Sequence, residues 1–402
     1  MINKNNAALL LAATLTLFSC KNNTSEGQSS SELKVFNLSV PEDDLPKLNL
    51  SQLADSVSYV AMETNDDCLA TFAVPCEGRI YSFSLAIEKK EVACFDINSG
   101  RFLHKIGRMG GSEEEYAQLG SLWEDPVNNH FFINAGPKII KCYDENGKYI
   151  KTIEHNYEQA NNFWVYNGLL YLYSGIYSKD TTQWALIDVE SEKVLFEKKH
   201  PFHETFSLGY KTGISLFEYS SSGFRDDKYY YYQPSRDTVF CLQDKTVSPV
   251  CRIDIEGIHD KNGQINQAVF TKEGHYVSVA SFQIFDSKLL AVCKYSDGEN
   301  ERCYYALLNL KDGTISYYDA RIVNDLDGGP DILSLVNHRV VGYYRSLSVE
   351  DLKNDEEIYN SYFTPGVKAK LKDQDGKFQR ILEPLEGDAN PIVRIVHWKK
   401  DL

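Results

Sequence analysis

Short apolar and aromatic runs punctuated by turn residues, a strand-turn-strand pattern that recurs about 47 residues later, and an abundance of Tyr and Phe predict an all-β fold. The expected architecture is a six-bladed β-propeller of four-stranded antiparallel blades, with a small helical excursion before the last strand. Among 402 residues there are 26 Tyr and 20 Phe, and Gly (25) is about twice Pro (12), the balance of strands joined by tight turns. Hydrophobic residues at 43% and charged residues at 25% exclude disordered, collagenous and polytopic membrane classes. A net charge of −15 with no basic stripe excludes nucleic acid as a partner.

Residues 1–19 read as a signal peptide: Lys4 supplies a short basic region, and the apolar stretch from Ala7 to Phe18 is too short to span a bilayer. The run Leu17-Phe18-Ser19-Cys20 resembles the bacterial lipobox, which implies acylation of Cys20 on its sulfur and on its new amino terminus. Several acyl chains give a stable anchor where one does not, so the lipid bilayer is the first expected partner. Residues 20–33 are polar and small and read as a flexible tether, with 34–402 as the propeller domain. Lys21 is followed by Asn22 and Asn23 instead of carboxylates, which favours an outer-membrane anchor facing the periplasm over surface display.

From about residue 57 strand runs follow one another. They include Val57 to Met62, Arg79 to Phe83, Val92 to Ile97, Phe102 to Ile106, Ile139 to Tyr143, Tyr149 to Ile153, Lys228 to Tyr232 and Leu289 to Tyr295. Cys94-Phe95-Asp96, a turn through Gly100, and Phe102 to Ile106 align with Cys142-Tyr143-Asp144, a turn at Asn146-Gly147, and Tyr149 to Ile153. Cys94 and Cys142 then read as one repeated core position. A period of about 40 to 50 residues carrying four strands fits a propeller blade, and about 340 residues give six. Closure requires Val57 to Met62 and Ile392 to Trp398 to share a blade. Residues 347–387 break the pattern: Ser348-Val349-Glu350-Asp351 is a helix start, and Val367 to Leu382 is rich in Lys, Leu and Gln, so this stretch is expected to be mostly helical.

Four segments in order carry a family resemblance. Ile106-Gly107-Arg108-Met109-Gly110-Gly111-Ser112-Glu113-Glu114-Glu115-Tyr116 resembles the "IGRxGxGPxEY" element of the six-bladed β-propeller lipoproteins of Bacteroidetes, a family related to NHL-repeat propellers. The stretch Leu53 to Thr64 is similar to their opening, Ser235 to Phe240 to their "SDTIY" element, and Asp388 to Val393 to their closing "DNPVL". Ser112 and Glu113 stand where the family has Gly and Pro. The resemblance implies a fold and a location; its members mostly lack an assigned activity.

Nucleophile elbows, P-loops, dinucleotide fingerprints and H-E-x-x-H are absent, as are C-x-x-C pairs and zinc-spaced Cys/His sets, so no metal and no cofactor is expected. Glu113-Glu114-Glu115 reads as a connection between blades, His200-Pro201-Phe202-His203 as a loop, and Asp325 to Asp331 as a turn lacking calcium-loop spacing. Tyr229 to Tyr232 alternates along a strand, with two rings expected in the core and two available for stacking. Asp125, Asp226, Asp227, Asp325 and Asp331 are the carboxylates open to general acid-base work, should two converge in a cleft. Cys293 and Cys303 flank the turn Asp297 to Asn300; a hairpin centred near Gly298 would set them face to face for a disulfide, while a register off by one would turn them to opposite faces. The function these features favour is a non-catalytic module binding a glycan or an envelope protein. The alternatives are a carbohydrate-active hydrolase or lyase and an assembly subunit of an envelope complex.

Overall fold

The repeated hairpin owes its shape to one residue type at one position. Asp96 Oδ1 accepts from the Ser99 amide (2.7 Å) and hydroxyl (2.6 Å), Asp144 Oδ1 from the Asn146 and Lys148 amides, Asp188 Oδ1 from Ser191, and Asn309 Oδ1 from Lys311 N. A short acceptor at the end of one strand thus folds the chain back into the next. A residue of positive φ closes each turn: Gly100, Gly147, Glu192 and Gly313.

A computed structural model of the chain describes residues 33–41, 44–76, 78–83, 91–157, 162–173, 182–199, 222–225, 227–233, 237–243, 245–255, 276–296, 301–332, 344–364, 376–400 and 402. Three strands open it, β1 (Val35–Leu38), β2 (Leu48–Asn49) and β3 (Ala54–Ala61). Four-stranded blades follow in chain order. Blade one is β4 (Phe72–Cys76), β5 (Arg79–Phe83), β6 (Val92–Asp96) and β7 (Phe102–Ile106); blade two is β8 (Leu122–Asp125), β9 (His130–Gly136), β10 (Ile139–Tyr143) and β11 (Tyr149–Glu154). Blade three is β12 (Asn162–Tyr166), β13 (Leu169–Tyr173), β14 (Thr182–Asp188) and β15 (Val194–Lys199). Blade four is β16 (Ser222–Arg225), β17 (Lys228–Gln233), β18 (Thr238–Gln243) and β19 (Thr246–Ile255); blade five is β20 (Tyr276–Ile284), β21 (Lys288–Ser296), β22 (Glu301–Asn309) and β23 (Ile315–Asp319). The chain ends with β24 (Ile322–Val323), β25 (Tyr344–Leu347), α1 (Val349–Asn354), α2 (Glu356–Ser361), α3 (Lys377–Leu382) and β26 (Ile392–Trp398).

The blade count is five, not the expected six. The remaining sheet, in the order β25-β26-β3, has three strands. Among the described residues its third strand leads through residues 62–71 directly into β4 with no fourth strand beside it, and three short helices, α1 to α3, stand between β25 and β26 where a blade would make a hairpin. The expected closure is present: β26 pairs with β3, Ile392 opposite Ala61 and Val396 opposite Val57. Helices stand over this sheet. Ser348 caps α1 by accepting from Asp351 N, the Phe378 ring of α3 lies 5.1 Å from the Tyr59 ring, and Lys377 Nζ donates to the Val57 carbonyl at 2.9 Å.

Apolar clusters bind each blade to the next. Tyr81 and Phe131 stack across blades one and two, Trp123 Nε1 donates to Val165 O between two and three, and the Trp164 ring lies 3.7 Å from that of Tyr229 between three and four. Middle strands are covered on both faces, so they read as continuous apolar runs, while outer strands such as β15 alternate. This explains the tyrosine run: Tyr229, Tyr231 and Tyr232 are all buried, and only Tyr230 is half-buried, so the expected exposed pair is not there.

Two findings bear on the sequence reading, and the first has no counterpart there. The first is a strap: β1 adds to the outer edge of blade four in parallel with β19, β2 pairs with β24, and Ser39 and Pro46 bond residues of blade five on the way. The second decides between the registers open to Cys293 and Cys303. Cys293 lies opposite Tyr304 and Lys294 opposite Cys303, so the hairpin is shifted by one and the thiols point to opposite faces, Cys293 buried and Cys303 exposed. All eight described cysteines are free thiols. Burial pushes Cys94 and Cys142 up to about 12, which makes them packing residues and not nucleophiles.

Candidate binding groove

Four of the five carboxylates open to acid-base chemistry, Asp125, Asp227, Asp325 and Asp331, are described, and each accepts hydrogen bonds from the protein's own donors. Asp125, fully buried at the end of β8, uses both oxygens: Oδ1 accepts from Val127 N and Asn167 N, and Oδ2 from Asn128 Nδ2 and Gly168 N. Asp227 accepts from Gln243 Nε2 at 2.6 Å. Asp325 holds the strap, taking the Ser51 amide and hydroxyl. Asp331 is buried and accepts from Asn324 N, Thr364 Oγ1 and Arg321 NH1. Between these two, Asp327 Oδ1 accepts from Tyr59 OH, Asn324 Nδ2 and Gly329 N, while Arg394 NH1 donates to the Pro330 and Asp331 carbonyls. Burial, and next the Asp327 charge, push the Tyr59 hydroxyl well above its ordinary range, so it stays a donor. The turn 325–331 therefore ties together β3, β26, the strap and the helical excursion. Among the described residues no three His, Cys, Asp or Glu side chains converge to hold a metal ion. Asp226, His200, His203 and Cys20 lie outside the described residues.

Glu113 to Glu115 belongs to the crossover from blade one to blade two. Glu115 accepts from Ser112 N and pairs with Arg108 Nε, Lys141 Nζ donates to Glu113 O, and Tyr143 OH to Glu114 O. Tyr116 is fully buried, its hydroxyl accepting from Val92 N.

A groove of about 570 Å³ opens where the closing sheet meets blade one. Three stretches far apart in sequence wall it: Ala61 to Thr64 at the end of β3, the β6–β7 turn from Ser99 to Arg101, and the loop from Pro384 to Ala389 after α3. Each wall is fixed from beneath. Asn390, 2% exposed, accepts from Ala70 N and donates through Nδ2 to the Glu63 and Cys68 carbonyls, and its own amide donates to Thr64 Oγ1. Glu63 N donates to Gly100 O, and the Glu63 carboxylate accepts from Phe102 N and Asn65 Nδ2. Lys353 Nζ donates to the Glu383 and Leu385 carbonyls of the third wall. Gly100 lies so close that a Cβ there would sit 2.0 Å from Ala61 O.

Three charged side chains on these fixed walls, Arg101, Glu386 and Asp388, are exposed and make no side-chain hydrogen bond or ion pair among the described residues. Arg101 belongs to one wall and the two carboxylates to another, with Ala61, Pro384, Leu385 and Ala389 as apolar lining. The groove thus presents one solvated guanidinium and two solvated carboxylates beside an apolar floor. Sequence reasoning missed this site. Asn390 was visible inside the closing motif, but its partners are more than 300 positions away.

Five four-stranded antiparallel blades and a closing sheet that joins the two ends of the domain define a β-propeller. A family model described as "Domain of unknown function (DUF4934)" matches residues 33–397, and the chain belongs to that family. No curated protein matches it. Among solved structures, the chain is similar to a Bacteroides fragilis protein whose export is inferred, at TM-score 0.60 and 16% identity, over 92% of this chain and 100% of that one; this shows a shared fold. A member of the DUF4221 family from Bacteroides vulgatus matches at TM-score 0.45 and 9% identity, over 87% and 98%, a likeness too low to carry an argument.

Proposed function

We propose that this chain is an exported propeller held at the cell envelope through acylated Cys20, and that it serves as a non-catalytic module whose groove takes a glycan or a segment of an envelope protein. The observation that carries this reading is the division of labour among charged groups. Asp125, Asp325 and Asp331 spend their oxygens on the protein's own donors, whereas Arg101, Glu386 and Asp388 line an open groove whose walls are held by hydrogen bonds. The reading of a hydrolase or lyase with paired carboxylates loses support for the same reason. Export is supported by the basic, apolar and Ser19-Cys20 order of the N-terminus, and no described helix is long and apolar enough to cross a membrane.

Two experiments test the proposal. Cys20→Ser is expected to move the protein from the membrane pellet to the soluble fraction; retention in the pellet would mean another anchor. A glycan array and an envelope-protein panel probed with wild type and with Arg101→Glu are expected to give a signal that the substitution removes. A signal indifferent to Arg101→Glu would place binding elsewhere.

A further inference from the structure

Resting on the reading of the groove as a binding site, we infer that its ligand is a peptide segment with a net positive charge that also carries at least one carboxylate. The lining has charges of both signs on separate walls, Arg101 from the β6–β7 turn and Glu386 with Asp388 from the loop after α3. A guanidinium fork matches a carboxylate in two parallel hydrogen bonds, so the ligand has an acid to meet Arg101. The two carboxylates of the other wall call for basic groups. Carboxylates outnumber the guanidinium among these free groups, and the whole chain carries −15, so long-range attraction favours a ligand with more bases than acids.

The surface between the charges is aliphatic, from Ala61, Pro384, Leu385 and Ala389, which suits the methylene stems of Lys and Arg. The described lining includes no aromatic ring against which a sugar face would stack. Part of the lining's backbone is already spent on the fold: Gly100 O accepts from Glu63 N, Gly100 N donates to Asp96 O, Leu385 N to Leu382 O and Ala389 N to Glu386 O. Recognition therefore runs through side-chain charge and aliphatic contact, and a volume of about 570 Å³ holds a short segment.

The test uses the full chain and capped octapeptides made of alanine with inserted charges: one with two lysines and one glutamate, one with the glutamate changed to glutamine, one all-acidic and one uncharged, beside cellohexaose as a neutral glycan. Binding is read by fluorescence anisotropy or NMR titration at low salt. The mixed-charge peptide is expected to bind best, and Arg101→Ala to weaken it at least tenfold. The same substitution should leave the glutamine peptide unchanged, a coupling that ties Arg101 to the ligand carboxylate. Glu386→Gln with Asp388→Asn should weaken both lysine peptides at least tenfold. If cellohexaose binds and Arg101→Ala abolishes it, the peptide inference fails and the groove reading stands. Mixed-charge binding indifferent to every groove substitution overturns the groove reading itself. Failure of the mixed-charge peptide to bind wild type better than the uncharged one overturns the inference.

Discussion

Asp125 Oδ2 accepts a 2.7 Å hydrogen bond from the backbone amide of Gly168, so a side chain from the first hairpin of blade two holds the matching hairpin of blade three. Its other oxygen takes the Asn167 amide at 2.8 Å. Hydrogen bonds to a buried carboxylate are charge-assisted and of the strong kind, and removing the acceptor leaves their donors without a partner. Asp125→Ala is expected to cost about 3 to 4 kcal/mol in urea unfolding, with faster amide exchange at 167 and 168. A loss below about 1 kcal/mol would mean that Asp125 is not a joint.

Asn390 binds the groove's walls from below through Ala70 N, Glu63 O and Cys68 O. Asn390→Ala is expected to destabilise the chain by about 3 kcal/mol and to raise hydrogen exchange selectively over residues 62–70. Exchange spread evenly over all blades would contradict this local role.

Two glycines of neighbouring turns should behave oppositely. Gly147 has φ +80°, and a Cβ there would lie 2.1 Å from the Lys105 carbonyl oxygen, whereas a Cβ on Gly111 meets nothing within 4 Å. Gly147→Ala is expected to lose more than about 2 kcal/mol and Gly111→Ala to stay within about 0.5 kcal/mol of wild type. Thermal unfolding of the pair checks it.

Burial lowers His155 from 6.5 to about 4, against a raising contribution from the Tyr157 backbone. The folded state holds the ring neutral while the unfolded chain takes up a proton below 6.5, so this group withdraws stability as pH falls from about 6.5 to about 4. The loss is at most about 3 kcal/mol. His155→Leu should flatten that part of the stability profile measured by urea midpoints from pH 7 to pH 4; an unchanged slope would reject the role.

Hairpins were legible because their cause is local: an Asp or Asn at the end of one strand caps the very turn that returns the chain, as at Asp96 and Asp144. Closure was legible too, since a ring needs its two terminal strands to meet, and Ile392 does lie opposite Ala61. The strap was not, because Val35–Leu38 pairs with Arg252 to Ile255, a parallel addition with no turn to announce it. Blade count failed for a related reason: period times length assumes equal blades, whereas the closing sheet carries helices at residues 349–354, 356–361 and 377–382 between two of its strands. The Cys293–Cys303 register turned on one residue in the hairpin's midpoint, which is below what turn composition resolves. Carboxylates such as Asp325 and Asp331 look alike on paper; only their partners, Ser51 and Thr364, mark them as ties. The groove was hidden because residues 61–64, 99–101 and 384–389 meet only in the folded ring.

Whether the groove charges are spare is measured most directly by thermal unfolding of the triple variant Arg101→Ala, Glu386→Ala, Asp388→Ala beside Asp331→Ala. Exposed side chains without a partner contribute little to stability, while Asp331 holds Asn324, Thr364 and Arg321 in the closing turn. The triple variant should melt within about 2 °C of wild type and Asp331→Ala at least about 5 °C below it. A triple variant that melts as low as Asp331→Ala would mean that these charges serve the fold and are not held free for a ligand.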